Sequence, residues 1–132
     1  MSLEEIHSVP CEDDCCAYVA DIIFGKKCIG EPLGKWIDVI KNIIKRKNKV
    51  GIVDNDNLQI KKLEEYNFKL IKDFSDYKFR IFENNNRYII VLDKDCEIFL
   101  GVKNKIRSKE NENISNINIC LLKNAIREIL NI

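Results

Sequence analysis

A short apolar run, Val50-Gly51-Ile52-Val53, ends abruptly in Asp54-Asn55-Asp56. A run of that length bounded by polar residues reads as a buried strand. Side chains of a strand alternate faces, so Asp54 and Asp56 point the same way if the strand runs through Asp56. Ligands of open α/β sheets gather outside the carboxyl ends of the strands. Two convergent carboxylates at such an end attract a hard divalent cation. The competing reading of the pair is a turn or a helix cap, since Asp after a strand commonly makes either.

The rest of the chain alternates strand and helix patterns around this run. Glu5 to Cys11 predicts a first strand anchored by Ile6 and Val9. Asp13 or Asp14 caps the next helix, which carries Cys16, Val19, Ala20 and Ile23 at helical spacing and ends at Gly25. Lys26 to Ile29 reads as a compressed strand or a loop, and Gly30, Pro32 and Gly34 as irregular chain. Leu33 to Lys47 is strongly periodic, with Leu33, Trp36, Ile37, Ile40 and Ile44 on one stripe. A strand over Lys49–Val53, a short helix over Asn57–Tyr66 and a strand over Phe68–Ile71 follow. Lys78–Phe82 and Arg87–Leu92 flank the turn-rich Glu83-Asn84-Asn85-Asn86, which predicts a hairpin. Asp93 reads as the N-cap of a helix reaching Val102. A polar loop near 103–115 precedes a closing amphipathic helix over 116–131. The expected fold is a single α/β domain over 1–132: a three-layer sandwich with a mostly parallel central sheet.

With 132 residues, the chain has the size of one domain with one core. Apolar residues make up 45% and charged residues 33%, which suits a globular protein rather than a disordered one. A net charge of +1 provides no global field toward nucleic acid or membrane. Basic residues cluster locally, at Lys41, Lys45, Arg46, Lys47 and Lys49, and again at Lys103, Lys105, Arg107 and Lys109. They are solvated helix ends on one reading, and on the other phosphate contacts beside an acidic metal site. No run reaches the length of a membrane span and no secretory segment opens the chain, so the expected compartment is the cytoplasm. The 5 glycines form no phosphate-cradling loop, which argues against P-loop or dinucleotide binding.

Three acidic sets fall at strand ends: Glu12-Asp13-Asp14, Asp54-x-Asp56, and Asp93-Lys94-Asp95 with Glu97 beyond. Parallel strands bring their C-termini to one edge, so acids scattered in sequence converge in space. Packed there without a cation, they raise one another's pKa. An EF-hand reading of Asp54 to Glu65 fails, because Leu58 and Gln59 occupy positions for a ligand and the turn glycine.

The 6 cysteines show no CxxC. His7, Cys11 and Cys15 are four apart, but Pro10 argues against the helix that would align them, and no second cluster has zinc-finger spacing, so no zinc site is expected. Most cysteines read as buried, reduced, small apolar side chains. A nucleophilic Cys15 or Cys16 would sit beside three acids, with only His7 as base, and is not expected.

Val9-Pro10-Cys11-Glu12, a helix, and then Gly51-Ile52-Val53-Asp54-Asn55-Asp56 together resemble the Toprim domain. The Arg87–Leu92 strand and the helix bearing Glu97 are similar to those of small Toprim-like proteins, and the likeness covers about residues 4–102. Asp13 stands where the family carries a glycine after its glutamate. The resemblance implies Glu12 as general acid/base and Asp54 and Asp56 as ligands of Mg²⁺ or Mn²⁺. It further implies a phosphodiester substrate in DNA or RNA, for which the basic clusters offer Lys45 and Arg46, or the Lys103 to Lys109 stretch with Lys103 and Lys105, as backbone contacts. A chain this short has no dedicated substrate-binding domain, so a protein partner, a homodimer or a simple substrate is expected. The alternatives are a non-catalytic interaction module of the same fold and a receiver-like phosphoacceptor at Asp54 beside Asp13 and Asp14.

Overall fold

The computed structural model describes residues 6–25, 29–45, 47–54, 59–92, 96–101 and 117–130. The expected elements at Asp56, Arg46, Asp93, Asp95, Lys103 and Lys105, and the polar loop near 103–115, lie outside them.

In chain order the elements are β1 (Ser8–Cys11), α1 (Asp14–Phe24), β2 (Ile29–Pro32), α2 (Trp36–Ile44), β3 (Val50–Asp54), α3 (Gln59–Glu65), β4 (Lys69–Phe74), β5 (Phe79–Asn84), β6 (Arg87–Leu92), α4 (Cys96–Leu100) and α5 (Ile117–Leu130). A single 3-10 turn at Ser75–Tyr77 joins β4 to β5. The fold is α/β. Its six strands form one mixed, mostly parallel sheet in the order β2-β1-β3-β6-β5-β4. β1, β2, β3 and β6 run parallel, and β5 and β4 add antiparallel strands at one edge.

The chain steps from β1 to β2 in one direction and returns past β1 to reach β3. Crossovers between parallel strands are right-handed, so two crossovers in opposite directions put their helices on opposite faces. Core membership agrees. α1, α4 and α5 bury Cys16, Val19, Phe99, Leu122 and Ile126 against Val9, Ile52, Ile81 and Ile90. α2 and α3 bury Val39, Ile40, Ile43 and Leu63 against Val53, Ile89 and Val91. The alternation Ile52/Val53 and Ile90/Val91 across these clusters is the period-two pattern of strands buried on both faces.

Local chemistry sets most boundaries. Oδ1 of Asp13 accepts from the main-chain N–H of Cys16 at 2.9 Å, which caps α1, and Gly25 closes that helix with φ 87°. Asn85 and Asn86 both have positive φ, 48° and 63°, as a two-residue type I′ hairpin requires, and they join β5 to β6 as expected.

The second strand departs from expectation. Residues 26–28 of the Lys26 to Ile29 strand or loop lie outside the described residues; the described β2 takes in Gly30 and Pro32, which the sequence predicts as irregular chain. Gly30 is required by close approach rather than by a turn: a Cβ there would lie 2.6 Å from the Ala17 carbonyl oxygen of α1. Pro32 is tolerated because β2 is an edge strand. Gly51 is likewise a contact glycine, since a Cβ would stand 2.7 Å from Cγ1 of Val39.

The cysteine expectation is corrected at two positions. Cys15 and Cys96 form a disulfide, with Cα atoms 5.9 Å apart and 81 residues between them in sequence. It ties the first turn of α1 to the first residue of α4. Cys11 and Cys16 are buried thiols, as expected, and Cys120 is an exposed one. No helix among the described residues is long and apolar enough to cross a membrane.

Candidate metal centre

The carboxyl ends of β1 and β3 lie side by side, with Cys11 paired to Ile52. Because β2 lies on one side of β1 and β3 on the other, their junction is a topological switch point, where doubly wound sheets open a crevice. Strand parity then aims the acids. Ile52 faces α1, so Asp54, two residues on, faces the N-terminus of α1.

Glu12 follows β1 directly and its backbone is fixed on both sides. Its N–H donates to the Ile52 carbonyl at 3.1 Å, and its own carbonyl accepts from Gly34 N–H at 3.0 Å. Glu12, Asp13 and Asp54 each offer a carboxylate oxygen within 4.8 Å of the other two. Glu12 and Asp54 are half-buried.

Crowding has an electrostatic consequence. Asp54 is pushed up from an ordinary 3.8 to about 8. Burial is the largest cause, followed by the charge and hydrogen bond of Asp13 and then the charge of Glu12. The thiol of Cys16, donating to Oδ1 of Asp54 at 3.4 Å, works in the opposite direction. Burial and the nearby acids push the Cys16 thiol well above its usual range, so it stays protonated and donates.

Of the expected ligands, the structure brings Glu12 and Asp54 together; Asp56 lies outside the described residues. It adds Asp13, which the sequence offers both as a helix cap and as part of the acidic set after β1 but which the Toprim resemblance does not name as a ligand. The N-cap of a helix that follows a parallel strand sits at the sheet's ligand-binding edge, so the capping signal was also a site signal.

The structure does not bring Lys45 to this group. Lys45 is exposed at the end of α2, where its N–H bonds the Lys41 carbonyl. The following segment packs on the start of β6: Arg87 Nη1 donates to the Asn48 carbonyl at 3.0 Å, and Tyr88 N–H to the Lys49 carbonyl at 2.8 Å. That is the end of the sheet opposite Asp54. A surface depression lined by Ile43, Ile44, Phe68, Asn84, Asn85 and Arg87 also lies at that end.

The donor set fits a hard divalent cation. Carboxylate oxygens are the ligands such ions take, and about 3 to 4 Å separates oxygens around an octahedral Mg²⁺ at about 2.1 Å. Asp54 retains its proton chiefly because its carboxyl is buried, and then because Asp13 and Glu12 stand beside it. The chain matches no protein-family model, and neither a curated protein nor a solved structure matches it.

Proposed function

We propose that the chain is a Toprim-like domain that uses Mg²⁺ or Mn²⁺ to act on nucleic-acid phosphodiesters. One observation carries the reading: the carboxylates of Glu12, Asp13 and Asp54 converge within 4.8 Å across the β1/β3 crevice. The three-layer form of that fold is supported by α1, α4 and α5 packing on one face and α2 and α3 on the other. Asp54 holds the cation, with Asp56 as the further ligand, and Glu12 is the general acid/base. A bound cation supplies polarisation of a phosphoryl oxygen and activation of water. Asp54 gives up its proton as the ion binds, while Glu12 stays beside it on a backbone fixed by Ile52 and Gly34. Lys103 and Lys105 remain the candidates for holding a DNA or RNA backbone, and a partner or second copy completes the substrate surface. The compartment proposed is the cytoplasm.

Labelled single- and double-stranded DNA and RNA, incubated with the chain and Mn²⁺ or Mg²⁺, test this directly. Metal-dependent cleavage lost in Glu12→Gln and Asp54→Asn is expected. No cleavage by wild type, or undiminished cleavage by Glu12→Gln, contradicts it.

A second reading is favoured by the strand order. The run β2-β1-β3-β6 begins as doubly wound receiver-like sheets do, with an acid pair after β1 facing an aspartate at the end of β3. On this reading Asp54 is phosphorylated from a small acyl phosphate in the presence of Mg²⁺. A mass gain of one phosphoryl group, absent in Asp54→Asn, is its signature.

A further inference from the structure

Beside the acidic group lies a second cluster that shares Asp54 with it and adds sulfurs that phosphodiester chemistry does not use. Cys16 Sγ, Cys96 Sγ and a carboxylate oxygen of Asp54 all lie within 4.8 Å of one another. Cys15 Sγ is bonded to Cys96 Sγ but is not among the atoms that meet within that distance. All three cysteines are buried at 1% exposure or less, and Asp54 is the half-buried member on the solvent side.

We infer that, once the Cys15–Cys96 disulfide is reduced, Cys16, Cys96 and Asp54 hold one Zn²⁺, with solvent in the fourth position. The spacing suits the ion. Zinc bonds sulfur at about 2.3 Å and oxygen at about 2.1 Å, so a tetrahedron sets sulfur and oxygen about 3.6 Å apart and two sulfurs about 3.8 Å apart. Cys16 Sγ and Asp54 Oδ1 are 3.4 Å apart. A sulfur-rich, dry set with one carboxylate favours a borderline-soft ion over Mg²⁺ or Ca²⁺. The site also has a structural purpose. The disulfide ties α1 to α4, and disulfides are rare where glutathione and thioredoxin keep thiols reduced. In such a compartment the ion ties the same two helices through Cys16 and Cys96.

The chemistry balances. A dithiol reductant gives two electrons and two protons to the Cys15–Cys96 bond, which becomes two thiols, while the reductant closes to a cyclic disulfide. Each thiol that binds Zn²⁺ then releases its proton to solvent.

Cobalt(II) is the probe. The full chain is reduced with a dithiol, freed of reductant under argon, and titrated with Co²⁺. The expected result is one Co²⁺ per chain, with intense tetrahedral visible bands and a sulfur-to-cobalt charge-transfer band, both bleached by equimolar Zn²⁺. Cys96→Ser and Cys16→Ser lose the charge-transfer band or most of its intensity, and Cys120→Ser keeps it. Oxidised protein gives no such band. Only a weak octahedral spectrum from the reduced wild type, a full band in Cys96→Ser, or a full band in the oxidised protein overturns the inference. Should a serine variant not fold, alkylation of the reduced wild type decides. Zn²⁺ slows modification of Cys16 and Cys96 at least tenfold relative to Cys120, and equal rates with and without Zn²⁺ count against the site. Glu12→Gln separates the two sites, since it keeps the cobalt band while losing the Mn²⁺-dependent activity of the acidic group.

Discussion

Cys16 and Asp54 stand 38 residues apart in the chain, and the thiol of one donates to Oδ1 of the other at 3.4 Å. The main-chain N–H of the same cysteine donates to Oδ1 of Asp13 at 2.9 Å. One residue in the first turn of α1 thus orients two of the three acids. The thiol is also the one cause that holds Asp54 down against burial, Asp13 and Glu12. Cys16→Ala therefore raises the Asp54 pKa further, which a carboxyl-carbon NMR titration reads directly.

Stability follows pH through the same aspartate. The folded chain keeps a proton on Asp54 up to about pH 8, whereas the ordinary group releases it near 3.8. Between those values the unfolded state binds fewer protons, so the stability Asp54 contributes is complete below the lower pKa and is lost as pH rises through the upper one. Thermal unfolding of wild type is expected to fall across this window. Asp54→Asn removes that slope and unfolds several degrees above wild type at alkaline pH. A wild-type curve with the same slope as the variant contradicts the assignment.

Asp13 does two jobs that substitution separates. Asp13→Ser keeps a capping oxygen and removes a charge, so it lowers the Asp54 pKa with little loss of stability. Asp13→Ala also loses the cap to Cys16 N–H, at a cost of about 1 kcal/mol. Chemical denaturation of the two variants, with the Asp54 titration beside it, distinguishes them.

Gly30→Ala tests the edge strand. Its Cβ would stand 2.6 Å from a backbone oxygen of α1, which no side-chain rotation relieves. The expected destabilisation is about 1–3 kcal/mol, the range for overpacked sites. An unchanged denaturation midpoint means that α1 does not sit on β2 as described.

Reducing the Cys15–Cys96 disulfide opens a loop with a sequence separation of 81. Chain entropy places the loss at about 4 kcal/mol. Metal-free reduced protein is expected to unfold at clearly lower denaturant than oxidised protein. Cys96→Ser is expected to match the reduced form.

The acidic edge was legible where local rules act alone. Parity along Val50–Asp54 aimed Asp54, and the residues after Cys11 announced a cap at Asp13. The paired asparagines at 85 and 86 announced the hairpin. Where contacts join distant residues, the sequence carried no signal. Cys15 and Cys96 have no spacing signature, and α1 and α4 meet only because both cover one face of the sheet. Gly30 and Pro32 resembled breakers because their reasons are the Ala17 carbonyl and an edge position, neither of which is local. Lys45 stood close in sequence to Asp54, yet a helix before a parallel strand ends at the strand's start, so the two fall at opposite ends.

On the proposed function, Asp54 binds a divalent cation beside Glu12 and Asp13 in exchange for its proton. Calorimetric titration of Mn²⁺ into wild type and Asp54→Asn near neutral pH, in two buffers of different ionisation enthalpy, measures both ion and proton. Wild type is expected to take up one ion per chain with close to one proton released and to bind more tightly as pH approaches about 8, and Asp54→Asn to lose both the ion and the proton release. Equal heats in the two proteins, or binding to wild type with no proton released, would contradict it.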